Sequence, residues 1–330
     1  MNYRTIGLHL GDFRLAYQET STYTGSAFDP WYFLVPVPAY FTQYVRNASG
    51  APWQNARPWG EGANDNFITG LLLDYRANGW YGVLQILVDD INLNRIIDPS
   101  GTQNPDKVAV DLGARYQTEI GRFGLFTALA TKYTWQPFGN SASNTRYGYY
   151  YYPATETGMA AIPRLDNTIG FINGENNWSV RAEWDNGSLE EAWQGLSVNG
   201  NLEFTMTGVQ SPAKSWSDLG YWTDGGPGPK WLDDPILEKK LVLSAGAELP
   251  LSVFSLRLDG SLGYVWNELK LDWPAGNLAA VNRYRLWRPS AESRFLGSLS
   301  LSVVVHFEKV VAEVLAATPS VASPQETARP

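Results

Sequence analysis

Residues 294–307 read RFLGSLSLSVVVHF, and the alternation within them decides the fold. Phe295, Leu299, Leu301, Val303, Val305 and Phe307 fall on one side of an extended chain, with a small Gly297 among them. Ser298, Ser300, Ser302 and His306 fall on the other. A repeat of two is that of a β-strand. At roughly 3.4 Å per residue the run is long enough to cross a bilayer at a tilt, and it ends on an aromatic residue, as an interfacial girdle requires. We read it as the closing strand of an outer-membrane β-barrel.

Working outward, the same alternation recurs. Phe67, Leu71, Leu73 and Tyr75 alternate with Asn66, Gly70, Asp74 and Arg76; after Asn78-Gly79, a strong hairpin signal, Trp80, Leu84, Ile86 and Val88 alternate with Tyr81, Gln85 and Asp89. Val108, Val110, Leu112, Ala114 and Tyr116 oppose Lys107, Asp111, Arg115 and Gln117, and beyond Gly121 the run Phe123, Leu125, Leu129 and Tyr133 opposes Gly124, Ala128, Ala130 and Lys132. Comparable runs lie at 178–185, 196–207, 240–249 and 254–267. Alternation does not by itself separate a soluble sandwich or solenoid, apolar face inward, from a membrane barrel, apolar face outward. Strand lengths of about ten to fourteen residues, against the usual five or six, favour the barrel. So do Trp80, Trp135, Trp178, Trp184 and Trp266 at the ends of the apolar runs, and tight turns alternating with long connections.

Composition narrows the class. Hydrophobic residues make up 44% of the 330, yet no unbroken apolar run reaches the length of a membrane-spanning helix. The absence of cysteine removes disulfides, thiolate metal sites and thiol nucleophiles together. A formal charge of −8 argues against nucleic acid, whose phosphates demand a basic face. No basic start followed by an apolar core marks a secretory signal at Met1. The chain is therefore expected to begin within a barrel whose true start lies upstream.

The expected architecture is all-β: a transmembrane antiparallel β-barrel over residues 1–307 with about fourteen strands visible, then a disordered periplasmic tail over 308–330. The tally rests on parity. Tight turns on the periplasmic side make 107–119 descend, 122–135 ascend and 236–249 descend. Crossings at 168–172, 178–185 and 196–207 are odd in number, so residues 145–152, TRYGYYYY, are enlisted as a further strand.

Candidate chemistry is sparse. Only His9 and His306 supply imidazoles, and both fall on the polar side. The acid pairs Asp89-Asp90, Glu190-Glu191 and Asp233-Asp234 invite comparison with glycoside hydrolysis. Neighbours on a strand point to opposite faces, however, and loop carboxylates are by default solvated. No catalytic residue, metal site or cofactor is assigned. Loop aromatics carry more. Trp216, Tyr221, Trp222 and Trp231 share one Gly/Pro-rich stretch, and Tyr147, Tyr149 and Tyr151 crowd another. Flat rings beside polar groups suit sugars, whose C–H faces stack while their hydroxyls accept and donate hydrogen bonds. Interfacial anchoring and loop packing explain the same rings. Asp89, Arg115, Arg181 and Arg257 are expected to line the lumen, with carboxylates such as Asp74, Asp111, Glu183 and Asp259 on the same faces as neutralising partners.

The order of LQILVDDINLN, KVAVDLGARYQTEIGRFGLFTALATKYTWQPF with its Tyr-rich sequel, and LEKKLVLSAGAELPLSVFSLRLDGSLGYVWN resembles the Wzi-type capsule-assembly outer-membrane proteins, over residues 65–307. The resemblance implies a monomeric barrel in a bacterial outer membrane, blocked by its own loops or helices, that anchors surface polysaccharide. On it, Asp89, Asp90, Tyr133 and Thr134 match family positions. A diffusion channel is the alternative reading.

Overall fold

The computed structural model describes residues 2–23, 34, 37–38, 65–91, 94–97, 105–134, 171–187, 195–210, 230–272 and 286–308. Among the described residues thirteen strands run in chain order: β1 (Asn2–Leu10), β2 (Phe13–Tyr23), β3 (Asp65–Ala77), β4 (Trp80–Asp90), β5 (Lys107–Thr118), β6 (Gly121–Ala130), β7 (Asn177–Asp185), β8 (Ser197–Thr207), β9 (Glu238–Leu251), β10 (Phe254–Trp266), β11 (Leu269–Asp272), β12 (Leu286–Pro289) and β13 (Arg294–Val305). Eleven form one antiparallel sheet in the order β1 through β10, then β13; β11 and β12 pair separately. Among the described residues the longest helical segment is the single turn Asn94–Ile97.

The strand tally is corrected at one place. The 168–172 crossing is not formed: Phe171 and Ile172 lie in a turn, and β6 pairs directly with β7. A five-residue segment offers too little ladder to displace that pairing. With it gone, β7 and β8 are the only crossings between β6 and β9 among the described residues, and with two of them the parity closes. Residues 145–152 lie outside the described residues, as does the proposed tail beyond residue 308.

Register fixes the two faces. The row Leu125, Ala182, Leu202, Leu243, Leu262 crosses five strands on one face. The row Gly124, Glu183, Asn201, Ser244, Ser261, Ser298 crosses the opposite face one residue away. Leu125, Leu202 and Leu243 have strand neighbours on both sides and are still 60%, 46% and 55% exposed, so exposure on the apolar face does not arise from the sheet edges. Aromatic side chains border this face at both ends. Phe13 packs on Tyr75 at 4.8 Å and Trp80 on Tyr116 at 4.4 Å at one end. Trp178 meets Phe204 at 6.3 Å, and Tyr264 meets Trp266 and Phe295 at 4.8 Å each, at the other.

The connections are sorted by end. β1–β2, β3–β4, β5–β6 and β9–β10 turn within two residues at one end, where residues 186–196 also join β7 to β8. Residues 24–64, 91–106, 131–176, 208–237 and 267–293 all emerge at the other. Asn78 and Gly79, at φ 53° and 79°, supply the left-handed pair that a two-residue hairpin demands. Gly121 stands at φ 123°, and a Cβ there would strike the Asp185 carbonyl oxygen and sit 2.6 Å from Trp184 Nε1. Gly11, at φ 62°, has nothing within 4 Å. Gly121→Ala is therefore expected to cost about 1–3 kcal/mol through strain and clash together. Gly11→Ala should cost only about 1 kcal/mol of backbone strain. Denaturant midpoints of the two variants check the difference.

Candidate functional site

At the end that carries the long connections, a carboxylate gathers four segments. Lys132 donates to Asp234 at 2.9 Å, Asn176 Nδ2 to its second oxygen at 2.7 Å, and the Val209 amide to that oxygen at 2.8 Å. Asn176 Oδ1 in turn accepts from the Leu232 amide at 2.8 Å. Trp231 Nε1 donates to the Asn177 carbonyl at 3.0 Å, and Gln210 Nε2 to the carbonyls of Asn173 and Glu175 at 2.7 and 2.5 Å. Tyr133, Asn176 and Leu232 adopt φ of 74°, 51° and 52° to let the chain make these approaches. The β11–β12 hairpin joins the group through paired backbone bonds between Gln210 and Trp287. Beside it Glu268 accepts from Arg294 at 2.8 Å, and that guanidinium holds the Glu268 carboxyl below its usual range.

Asp234 corrects an expectation. It was assigned to a solvated loop pair, yet its side chain is only 10% exposed and holds three donors. A carboxylate in that position serves as a fixed acceptor, which adjacency to Asp233 in sequence does not reveal. Nothing in the alternation signalled Asn176 or Lys132 as its companions, because both belong to the β6–β7 connection, far from Asp234 in the chain. Glu190 and Glu191 lie outside the described residues.

Asp89 sits where the β4–β5 register shifts, and Lys107 donates to it at 3.1 Å with both side chains nearly buried. Thr131 Oγ1 donates to the Asp106 carbonyl at 3.1 Å and accepts from the Val108 amide at 3.0 Å. Thr134 Oγ1 lies 2.7 Å from Thr131 Oγ1, and Tyr133 is 2% exposed. Asp89, Tyr133 and Thr134, the positions matched through the family resemblance, thus occupy one corner, together with Asp90 opposite Lys107. On the polar face below them Ile68, Ala109 and Ala130 form an apolar cluster, against which Leu87 and Phe171 pack.

Further along the polar face, Arg115 and Arg181 both bond Glu183, Arg115 Nε at 3.0 Å and Arg181 at 2.5 Å. The expected partner on Arg115's own strand, Asp111, is bypassed. Gly124 lies directly between Arg115 and Glu183 in the strand rows, and without a side chain it leaves the path across β6 open. Arg257 pairs with Asp259 at 2.7 Å, as expected. Arg76 lies 3.7 Å from Asp74, which Arg14 Nε holds more closely at 2.6 Å. At the tight-turn end His306 Nε2 lies 2.8 Å from Ser255 Oγ, with Glu308 at 3.9 Å from Nδ1. Ser255 is 1% exposed, and its contact with His306 ties the end of β13 to β10.

Of the sugar-binding candidates, Trp231 alone is described: its indole N–H is engaged and its ring is 40% exposed. Trp216, Tyr221, Trp222, Tyr147, Tyr149 and Tyr151 lie outside the described residues. Among the described residues no cluster of three or more metal-ligating side chains occurs. Compared with protein-family models, with curated proteins and with solved structures, the chain matches none of them.

Proposed function

We propose that the sheet is the wall of a bacterial outer-membrane β-barrel, its apolar face toward lipid, and that the long connections bind surface polysaccharide at its outer end. A continuous exposed apolar face spanning eleven strands exceeds what a soluble monomer carries. Its dimension supports the reading. Phe254 and Tyr264 stand ten residues apart on β10, about 34 Å of extended chain and about 25 Å of bilayer normal at a roughly 40° tilt. The edges β1 and β13 run in the same direction. Closure by antiparallel ladders then takes an odd number of further strands, which gives the even total that bacterial barrels favour.

The observation that carries the choice of function is Phe171 on the polar face. The described end of the β6–β7 connection, residues 171–176, sets Phe171 against Ile68, Ala109 and Ala130 and is held there by Asn176 and Gln210, on the polar face at the loop end. A bore narrowed at that end suits an anchoring protein, as the Wzi-type resemblance also implies, better than it suits a channel. Charged, water-facing pairs such as Arg257 and Asp259 favour the alternative of a conducting pore. In planar bilayers the anchoring protein is expected to be nearly silent; a large, steady, salt-dependent conductance would establish the channel instead. The glycan role has its own test. Joint replacement of Trp216, Trp222 and Trp231 by Ala should reduce retained cell-surface polysaccharide severalfold, since each stacked ring is worth about 0.5–1.5 kcal/mol. Unchanged retention with normal heat-modifiable mobility would reject it.

A further inference from the structure

On the polar face, at the tight-turn end opposite the connections, a cavity of about 370 Å³ is lined by Arg76, Tyr81, Arg115, Gln117 and Arg122, with the Gly79-Trp80 turn at its rim. Register places all five of these wall side chains on the same face: Arg76 opposes Tyr81, Tyr81 opposes Arg115, and Gln117 opposes Arg122. Here the charges do not cancel. Five guanidiniums, Arg14, Arg76, Arg115, Arg122 and Arg181, face four carboxylates, the paired Asp74, Glu183 and Asp185 and Glu203 opposite Arg181, and 5 − 4 leaves one positive charge, while the wall of the cavity itself carries three arginines and no acid. Asp111 lies four positions along β5 from Arg115, roughly 13 Å away. Asp12 and Glu119, in the adjoining turns, form no ion pair with these arginines. Arg76 is the least committed: it is 68% exposed and holds Asp74 only at 3.7 Å, while its guanidinium lies 5.1 Å above the Tyr81 ring.

We propose that this pocket binds a small oxyanion-bearing solute, through a phosphate or carboxylate group held by Arg76 and Arg122 with Arg115 behind them. A planar guanidinium presents paired N–H donors that match such a group. Gln117 and the Tyr81 hydroxyl add neutral donors beside it. At roughly 30 Å³ per water the cavity holds about a dozen waters, the space of one acidic sugar or sugar phosphate. The site stands apart from the loop aromatics, and it depends on the strand register alone, so it does not rest on the polysaccharide reading.

The experiment is calorimetric titration of the detergent-solubilised full chain at low salt with inorganic phosphate, with glucuronate, and with uncharged glucose. Saturable binding of phosphate or glucuronate, and none of glucose, is expected; which anion binds more tightly identifies the source of the group. Arg76→Gln and Arg122→Gln should each weaken binding about tenfold, the effect of losing one charge-assisted contact. Lys240→Gln, a charge change elsewhere on the polar face, should leave it unaltered. Should Arg122→Gln fail to fold for want of its Asp185 partner, the solvent-exposed Arg76 variant decides. Absence of saturable binding by the unmodified protein, binding of glucose equal to that of the anions, or equal losses in the Lys240 and Arg76 variants would overturn the proposal.

Discussion

Leu243→Arg is expected to lower the stability of the protein folded into lipid vesicles by about 2–4 kcal/mol, while Ser244→Arg, one residue along the same strand, leaves it nearly unchanged. Leu243 lies mid-strand in β9 between Leu202 and Leu262, 55% exposed, at the level that the centre of the proposed bilayer would occupy. An arginine there loses its hydration, with only snorkelling to recover part of it. Ser244 faces Asn201 and Ser261 across the polar rows, where a guanidinium meets water and hydrogen-bond acceptors. Equilibrium refolding of both variants into vesicles, read by gel mobility and tryptophan fluorescence, makes the comparison. A soluble sheet that packs its apolar face on some other layer reverses neither cost in vesicles, but it would stay folded without lipid or detergent. Either that outcome or a neutral Leu243→Arg in vesicles would end the membrane reading.

Asp234→Ala is expected to destabilise the connection end by about 3–5 kcal/mol, the usual result of stripping a partner from a buried ion pair. The substitution leaves Lys132, which is 11% exposed, with only Asp233 at 3.9 Å and Asn176 Nδ2 with only the Val209 carbonyl, and it removes the acceptor of the Val209 amide. Asp234→Asn should lose less, because the carboxamide still offers one acceptor oxygen to those donors. Thermal unfolding followed by circular dichroism in detergent distinguishes the two. Equal melting temperatures for all three proteins would show that the carboxylate does not hold the connections together. Since the same carboxylate fixes Asn176, and Asn176 fixes Leu232 beside Trp231, the alanine variant should also lower polysaccharide retention if the loop end is the binding surface.

Much of the wall was legible in the sequence because a strand's side chains alternate with a period of two whatever surrounds them. Phe123, Leu125 and Leu129 announce one face and Gly124, Ala128 and Ala130 the other before any partner strand is known. The hairpin at Asn78-Gly79 was equally plain, since few residues tolerate two successive left-handed positions. Short apolar segments were not. The 168–172 stretch has the composition of a strand, and only the direct ladder between β6 and β7 denies it that role.

What the sequence by itself determined is the segregation of apolar and charged side chains onto opposite faces of long strands, because that follows from covalent geometry and local pattern. Tertiary structure alone decided which charges pair and which polar groups become buried. Arg115 passes over Gly124 to Glu183, and Asp234 collects Lys132, Asn176 and Val209, because register and chain folding bring distant residues within about 3 Å, the reach of a hydrogen bond.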